Sequence, residues 1–240
     1  MSVPDFTTRP QLSEAVARFV RQRIFDGGYA AGSYVRLDQL ATELGISVTP
    51  VREALLELRA EGLLVQQPHR GFMVVSVTRR DLADVADVQA FVGGELAARA
   101  AVGITDEQLA ELEEIQSQLE RAYAGDDENQ TVRLNHEFHR AINVAAHSPK
   151  LAQMMSQITR YAPESVFPGI TGWPERSMRD HRRVLAALAA HDQALARTAM
   201  VEHLVAGVAP LIEHLSSRGV VSGEEGSDAH LDQRPSPTRT

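Results

Sequence analysis

The chain has 240 residues, 43% hydrophobic and 23% charged, with a formal net charge of −8 and no cysteine. This composition excludes a mainly disordered chain, a collagen-like fibre and a disulfide scaffold, and the missing cysteines exclude thiolate metal sites and thiol nucleophiles. No uncharged apolar run approaches the ~18–20 residues of a membrane span, and the opening MSVPDFTTRP has neither part of a secretory signal, so a cytoplasmic protein with no membrane partner is expected.

The charge is unevenly spread. Residues 1–75 carry eight Arg and eight Asp or Glu and are neutral, whereas residues 76–240 carry the whole −8. A neutral, Arg-bearing N-terminal part joined to an acidic C-terminal part points to two functions on one chain.

In residues 12–27, Val16, Phe19, Val20 and Ile24 fall on one face of a helix, which Gly27-Gly28 stops. YAAGSYV then reads as a turn, and LDQLATELG as a short helix ended by Gly45. Ser47 is an N-cap for a helix over 47–61, with Pro50 in its first turn, where a missing N–H is harmless. LLVQQP and GFMVVSV are β-rich runs bent at Pro68-His69-Arg70-Gly71. Helices are expected over 81–102, 107–124, 129–146, 149–161, 175–190 and 193–216, with no convincing strand after residue 78. Residues 162–174, rich in Pro and Gly, form a loop or irregular link. Residues 220–240 are polar, rich in Gly, Pro and Ser, and expected to be disordered. The fold class is mainly α: a winged helix-turn-helix over 8–77, an all-α bundle over 78–219, and a tail over 220–240.

Two helices joined by a tight turn and followed by a hairpin suit DNA. Ser47 and Thr49 at the start of the second helix can reach phosphates or base edges. Arg52, one turn in, can reach a guanine edge bidentately. Arg70 at the wing tip suits the minor groove or a phosphate, and Gly71 beside it allows close backbone approach.

In the second domain, Leu134, Phe138, Ile142 and Ala145 define a buried stripe, with Asn135 and His139 at its edge, one turn apart. His136 projects further toward solvent. His181 is central to an apolar face made by Met178, Val184, Leu185 and Leu188. His203 shares a face with Ala196, Ala199, Met200 and Gly207. Three inward imidazoles and an amide from three helices suit a divalent ion such as Zn²⁺, Ni²⁺ or Mn²⁺; the alternative is core histidines that are merely hydrogen-bonded.

The stretch LATELGISVTPVREALLELRAEGL, followed by RGFMV, resembles the DNA-binding domain of the GntR superfamily of bacterial transcription regulators. The resemblance places Ser47, Thr49 and Arg52 among recognition-helix contacts and Arg70-Gly71 at the wing tip. One position departs: Val48 stands where Arg is common. Further on, NHEFHRAI, DHRRVLAAL and the run from Asp192 to Leu204 resemble the ligand-binding FCD domain of the FadR-like branch. That resemblance implies Asn135, His139, His181 and His203 as metal ligands. Here too there is a departure, with Gln89 and Gly93 standing where many members have Arg and Glu. Together the resemblances imply a homodimeric regulator, commonly a repressor, on a palindromic double-stranded operator. A small organic-acid effector would bind at the metal, with Arg133 as a candidate to neutralise its charge. The competing readings are a metal-sensing regulator and a metal-dependent hydrolytic enzyme; against the enzyme, Glu137 points away and Asp180 is rotated off the histidine face.

Overall fold

The computed structural model describes residues 10–222 apart from 69, 126, 162 and 163. The stretch 223–240 of the expected tail lies outside the described residues.

The N-terminal unit runs α1 (Pro10–Phe25), β1 (Tyr34–Val35), α2 (Leu37–Leu44), α3 (Val48–Ala60), β2 (Leu64–Gln67) and β3 (Gly71–Val74). Gly45 (φ 66°) ends α2 and Gly62 (φ 77°) follows α3, each in the left-handed region that glycine enters without strain. α1 buries Val16, Ala17, Val20, Ile24 and Phe25 against Val51, Ala54, Leu55 and Leu58 of α3. Phe19, expected in that stripe, sits at its rim, 37% exposed, beneath the Arg23 guanidinium. Arg21 grips Glu61 at 2.7–3.0 Å through two nitrogens and pins α1 to the end of α3. The stretch read as a turn contributes a strand: β1 pairs antiparallel with β3, which also pairs with β2, in the order β1-β3-β2.

The C-terminal unit has seven helices among the described residues: α4 (Arg79–Gly103), α5 (Asp106–Ala124), α6 (Glu128–Ala145), α7 (Pro149–Ile158), α8 (Trp173–Ala189), α9 (Gln193–Ala206) and α10 (Val208–Ser217). α4 starts two residues earlier than its apolar pattern, because Thr78 and Asp81 form a capping box. Halfway along α4, Gly93 and Gly94 let α9 come close: an added Cβ would lie 2.6 Å from Leu204 Cδ1 or from Val201 Cγ2. Two short 3-10 segments, Thr159–Tyr161 and Glu164–Gly169, link α7 to α8.

The last expected helix is two. It bends at Gly207, and Pro210 at the third position of α10 has no N–H to return to the preceding turn. Across the bend, Gln193–Ser217 is long and apolar enough, by length and composition alone, to match a membrane span. Its surface is committed otherwise. Ala196, Ala199 and Met200 are buried in the bundle, Arg197 and Glu202 pair with Glu95 and Arg183, and Leu211 and Leu215 join the winged-helix core.

That last contact joins the two units. Leu82, Val166, Ile170, Trp173, Leu211, Leu215, Val220 and Val221 belong to the same buried cluster as Val20, Phe25, Leu55 and Phe72. Arg160, after α7, reaches Glu57 of α3 at 2.7 Å. β4 (Val77–Thr78), between the units, pairs in parallel with β5 (Val221–Ser222).

The expected tail therefore begins too early. Val220 and Val221 are 8% and 7% exposed, and a two-residue strand is too short to show alternation in the sequence. Truncation after residue 219 should cost about 2 kcal/mol, two valine burials less the entropy of ordering them, and lower the melting temperature by roughly 4–8 °C. Truncation after residue 222 removes only the polar stretch and should leave it unchanged. Equal melting temperatures for the two proteins in a thermal scan would contradict this role for β5.

Candidate functional site

α6, α8 and α9 each deliver one histidine to a common point. The ligand atoms of His139, His181 and His203 all lie within 4.8 Å of one another. Ring centroids are 5.1 Å apart for His139 and His181, 5.2 Å for His139 and His203, and 4.7 Å for His181 and His203. Phe138, next to His139 in the buried stripe of α6, stacks on His181 at 4.1 Å and fixes its plane.

Burial keeps two of the rings neutral. His139 is pushed down to about 3, first by desolvation and then by the neighbouring His203 and His136. His181 is pushed well below its ordinary value, again chiefly by burial. Neutral imidazole is the form that ligates metal. Two nitrogens of the cluster are buried with no hydrogen-bond partner among the described residues, His181 Nε2 and His203 Nδ1. Leaving such groups unsatisfied costs on the order of 1–3 kcal/mol each, and a shared cation is a direct remedy for His181 Nε2. The donor set thus fits a divalent ion, and the cluster contains no carboxylate.

Sequence reasoning missed two residues behind the histidines. Gln116 of α5, fully buried, places Oε1 2.9 Å from His181 Nδ1. An amide oxygen can only accept, so Nδ1 donates and Nε2 keeps its lone pair for the cluster. Asp180, set aside in the sequence because it is rotated off the face of His181, is only 6% exposed, with Oδ2 3.9 Å from His203 Nδ1. The rotation is real, but α9 packs on the side to which it turns. His203, then Arg176 and Arg183, hold the Asp180 carboxyl below its ordinary value.

A cavity of about 340 Å³ opens beside the cluster. Asn135, His139 and Arg140 of α6 and His203 of α9 line it, and Gln89, Ser156 and Thr159 add polar groups. The apolar part of the wall includes Leu82, Phe167, Trp173, Leu204 and Leu211, with Trp173 against His203 at 5.8 Å. His181 lies behind the wall and does not line it, while His136 does.

Arg133 does not belong to this site. It is exposed, bonded to Glu137 at 2.7 Å and absent from the cavity wall. Two residues along a helix is 200°, so Arg133 and Asn135 face opposite ways. The cation on the wall is Arg140, which makes no ion pair among the described residues.

At the other end of the molecule, Ser47, Thr49 and Arg52 are exposed together at the start of α3, and Arg70 is exposed at the wing. Ser47 occupies the N-cap position but makes no side-chain cap bond; the third helical residue is Pro50, which has no N–H to give. Neither Arg52 nor Arg70 is ion-paired among the described residues, unlike Arg21 and Arg23 nearby. Gly71 has φ 98°, and a Cβ there would sit 3.0 Å from the Val35 carbonyl oxygen, so β1–β3 pairing is by itself a sufficient reason for glycine. Val48 packs partly against the core.

The family model described as "Bacterial regulatory proteins, gntR family" matches residues 12–74, and the FCD domain model matches residues 84–206. The chain belongs to the GntR family, with an FCD domain. It is 28% identical over 209 residues to the HTH-type transcriptional regulator McbR of Escherichia coli K12, covering 84% of this chain and 93% of McbR. The solved structure of E. coli McbR/YncC aligns with a TM-score of 0.69 at 28% identity, covering 84% of this chain and 97% of that one. The HTH-type transcriptional repressor GlaR of E. coli K12 is 27% identical over 210 residues, covering 82% and 93%. The Glc operon transcriptional activator of the same organism is 26% identical over 224 residues, covering 82% and 87%. This GntR-family chain is accordingly a DNA-binding transcription regulator and not an enzyme.

Proposed function

We propose that this regulator is a cytoplasmic homodimeric repressor whose grip on a palindromic operator is set by a small organic acid bound at a divalent metal in the FCD domain. Each winged helix takes one half-site. His139, His181, His203 and the side-chain oxygen of Asn135 hold the ion, with Zn²⁺, Ni²⁺ and Mn²⁺ all compatible with imidazole and amide donors. When bound, the ion supplies positive charge that attracts a carboxylate. The chain's own residues orient the rest of the acid: Arg140 and the polar wall face its charged end, and Trp173, Phe167 and Leu211 its apolar body.

One observation carries the link to DNA. The apolar wall of the cavity includes Leu82, Trp173 and Leu211, which belong to the buried cluster that is also the winged-helix core. A ligand seated on that wall touches the packing that orients α1 and α3. It shifts operator affinity to the extent that it binds the two arrangements unequally.

The test titrates operator DNA into apo protein, metal-loaded protein, and metal-loaded protein with a panel of carboxylic acids. The expected result is operator release by an acid only when metal is present. A carboxylate response that survives chelation would overturn the metal's place in the mechanism. Release by metal alone would make the protein a metal sensor.

A further inference from the structure

We infer that Asp180 is a positioning residue for the metal centre: its buried carboxylate orients His203 through Nδ1 and supplies the negative charge that the ligands themselves lack. The inference rests on the metal site proposed above.

The three imidazoles and Asn135 are all neutral donors, so a divalent ion among them would be uncompensated within the ligand set. Charge is costly at low dielectric unless it is paired. Asp180 is buried, and its Oδ2 has no hydrogen-bond partner. His203 Nδ1, 3.9 Å away, also has none. A small side-chain rotation brings the two to the ~2.8 Å of a charge-assisted bond. With Nδ1 donating to Asp180, His203 keeps its Nε2 lone pair. The same logic already operates on His181, whose Nδ1 is engaged by Gln116 at 2.9 Å.

The two arms differ in charge. Gln116 is neutral and fixes only a tautomer, whereas Asp180 fixes a tautomer and adds a negative charge. Outside, Arg176 at 3.5 Å and Arg183 at 3.9 Å lie beside the carboxylate without a hydrogen bond to it. Both are about half exposed, so their pairing is weak and solvent-screened. Partners of this kind behind a ligand typically change metal affinity by 10- to 100-fold.

The experiment measures Zn²⁺ affinity by competition with a chromophoric chelator for the full chain and for D180N, D180E and the R176Q/R183Q double variant. D180N is expected to lose 10- to 100-fold in affinity and D180E to recover part of it. The R176Q/R183Q variant keeps the carboxylate and should bind as the parent does. Nitrogen-15 spectra of the apo protein should show His203 protonated at Nδ1 in the parent and a mixture of tautomers in D180N. Parental affinity in D180N, or an equal loss in R176Q/R183Q, would reduce Asp180 to an ion-pair anchor and overturn the inference while leaving the metal site standing. A parent that binds no Zn²⁺ would overturn both.

Discussion

Replacing any one of His139, His181 and His203 by alanine should cut metal affinity by about 100-fold or more, while His136→Ala should leave it intact. A four-ligand structural zinc site is worth roughly 10–16 kcal/mol, so each ligand carries about 3 kcal/mol, or two decades in affinity. The contrast with His136 is the sharper part. His136 also lines the cavity, so mere proximity would predict a shared effect. Helical phase predicts otherwise, because His136 stands outside the group of mutually close ligand atoms. Metal content after dialysis, followed by chelator competition, reads the result. Full metal content in His181→Ala or His203→Ala protein would refute the site, and an equal loss in His136→Ala would refute the phase argument.

On the DNA side, Arg52→Ala should weaken specific operator binding by about 1–3 kcal/mol, roughly 5- to 150-fold, and relax preference at one base pair. Arg52 is exposed one turn into α3 with no ion pair among the described residues, so its loss disturbs little of the fold. Arg70→Ala should act differently. A phosphate contact at the wing would weaken binding to all sequences alike and reduce the salt slope by about one. Anisotropy titrations on operator and scrambled DNA at several salt concentrations separate the two. Parental affinity in both variants would remove these arginines from the interface.

Helical phase makes the histidines legible in the sequence. His181 sits among Val184, Leu185 and Leu188, and His203 among Ala199 and Met200, and both are buried in the structure. Phase describes one helix at a time, however, and that is where it failed. Asp180 turns away from His181 only within α8; what it turns toward is α9, which no wheel of α8 contains. Gln116 looks like a surface residue of an acidic, capped helix until α8 is laid across it. Arg133 has the charge to neutralise an acid, but it lies two residues before Asn135, a spacing that puts it on the opposite face of α6. The short strands β1, β4 and β5 span two residues each and leave no alternation to read. The bend at Gly207 was signalled by Pro210, which a strong apolar pattern on both sides concealed.

The pairing of β4 with β5 has a consequence during synthesis. The winged helix leaves the ribosome first and is built largely from contacts among residues 12–75, so it can assemble while the bundle is still being translated. Its anchorage to the bundle is completed later. Leu211, Leu215, Val220 and Val221, half of the bundle-side residues that seat it, are among the last described residues to be made. A nascent or prematurely terminated chain would carry a folded winged helix held to the bundle only by the earlier contacts of Leu82, Val166, Ile170 and Trp173 and by the Arg160–Glu57 pair. β5 thus acts as a final latch between the two units, closed only when residue 221 has left the ribosome.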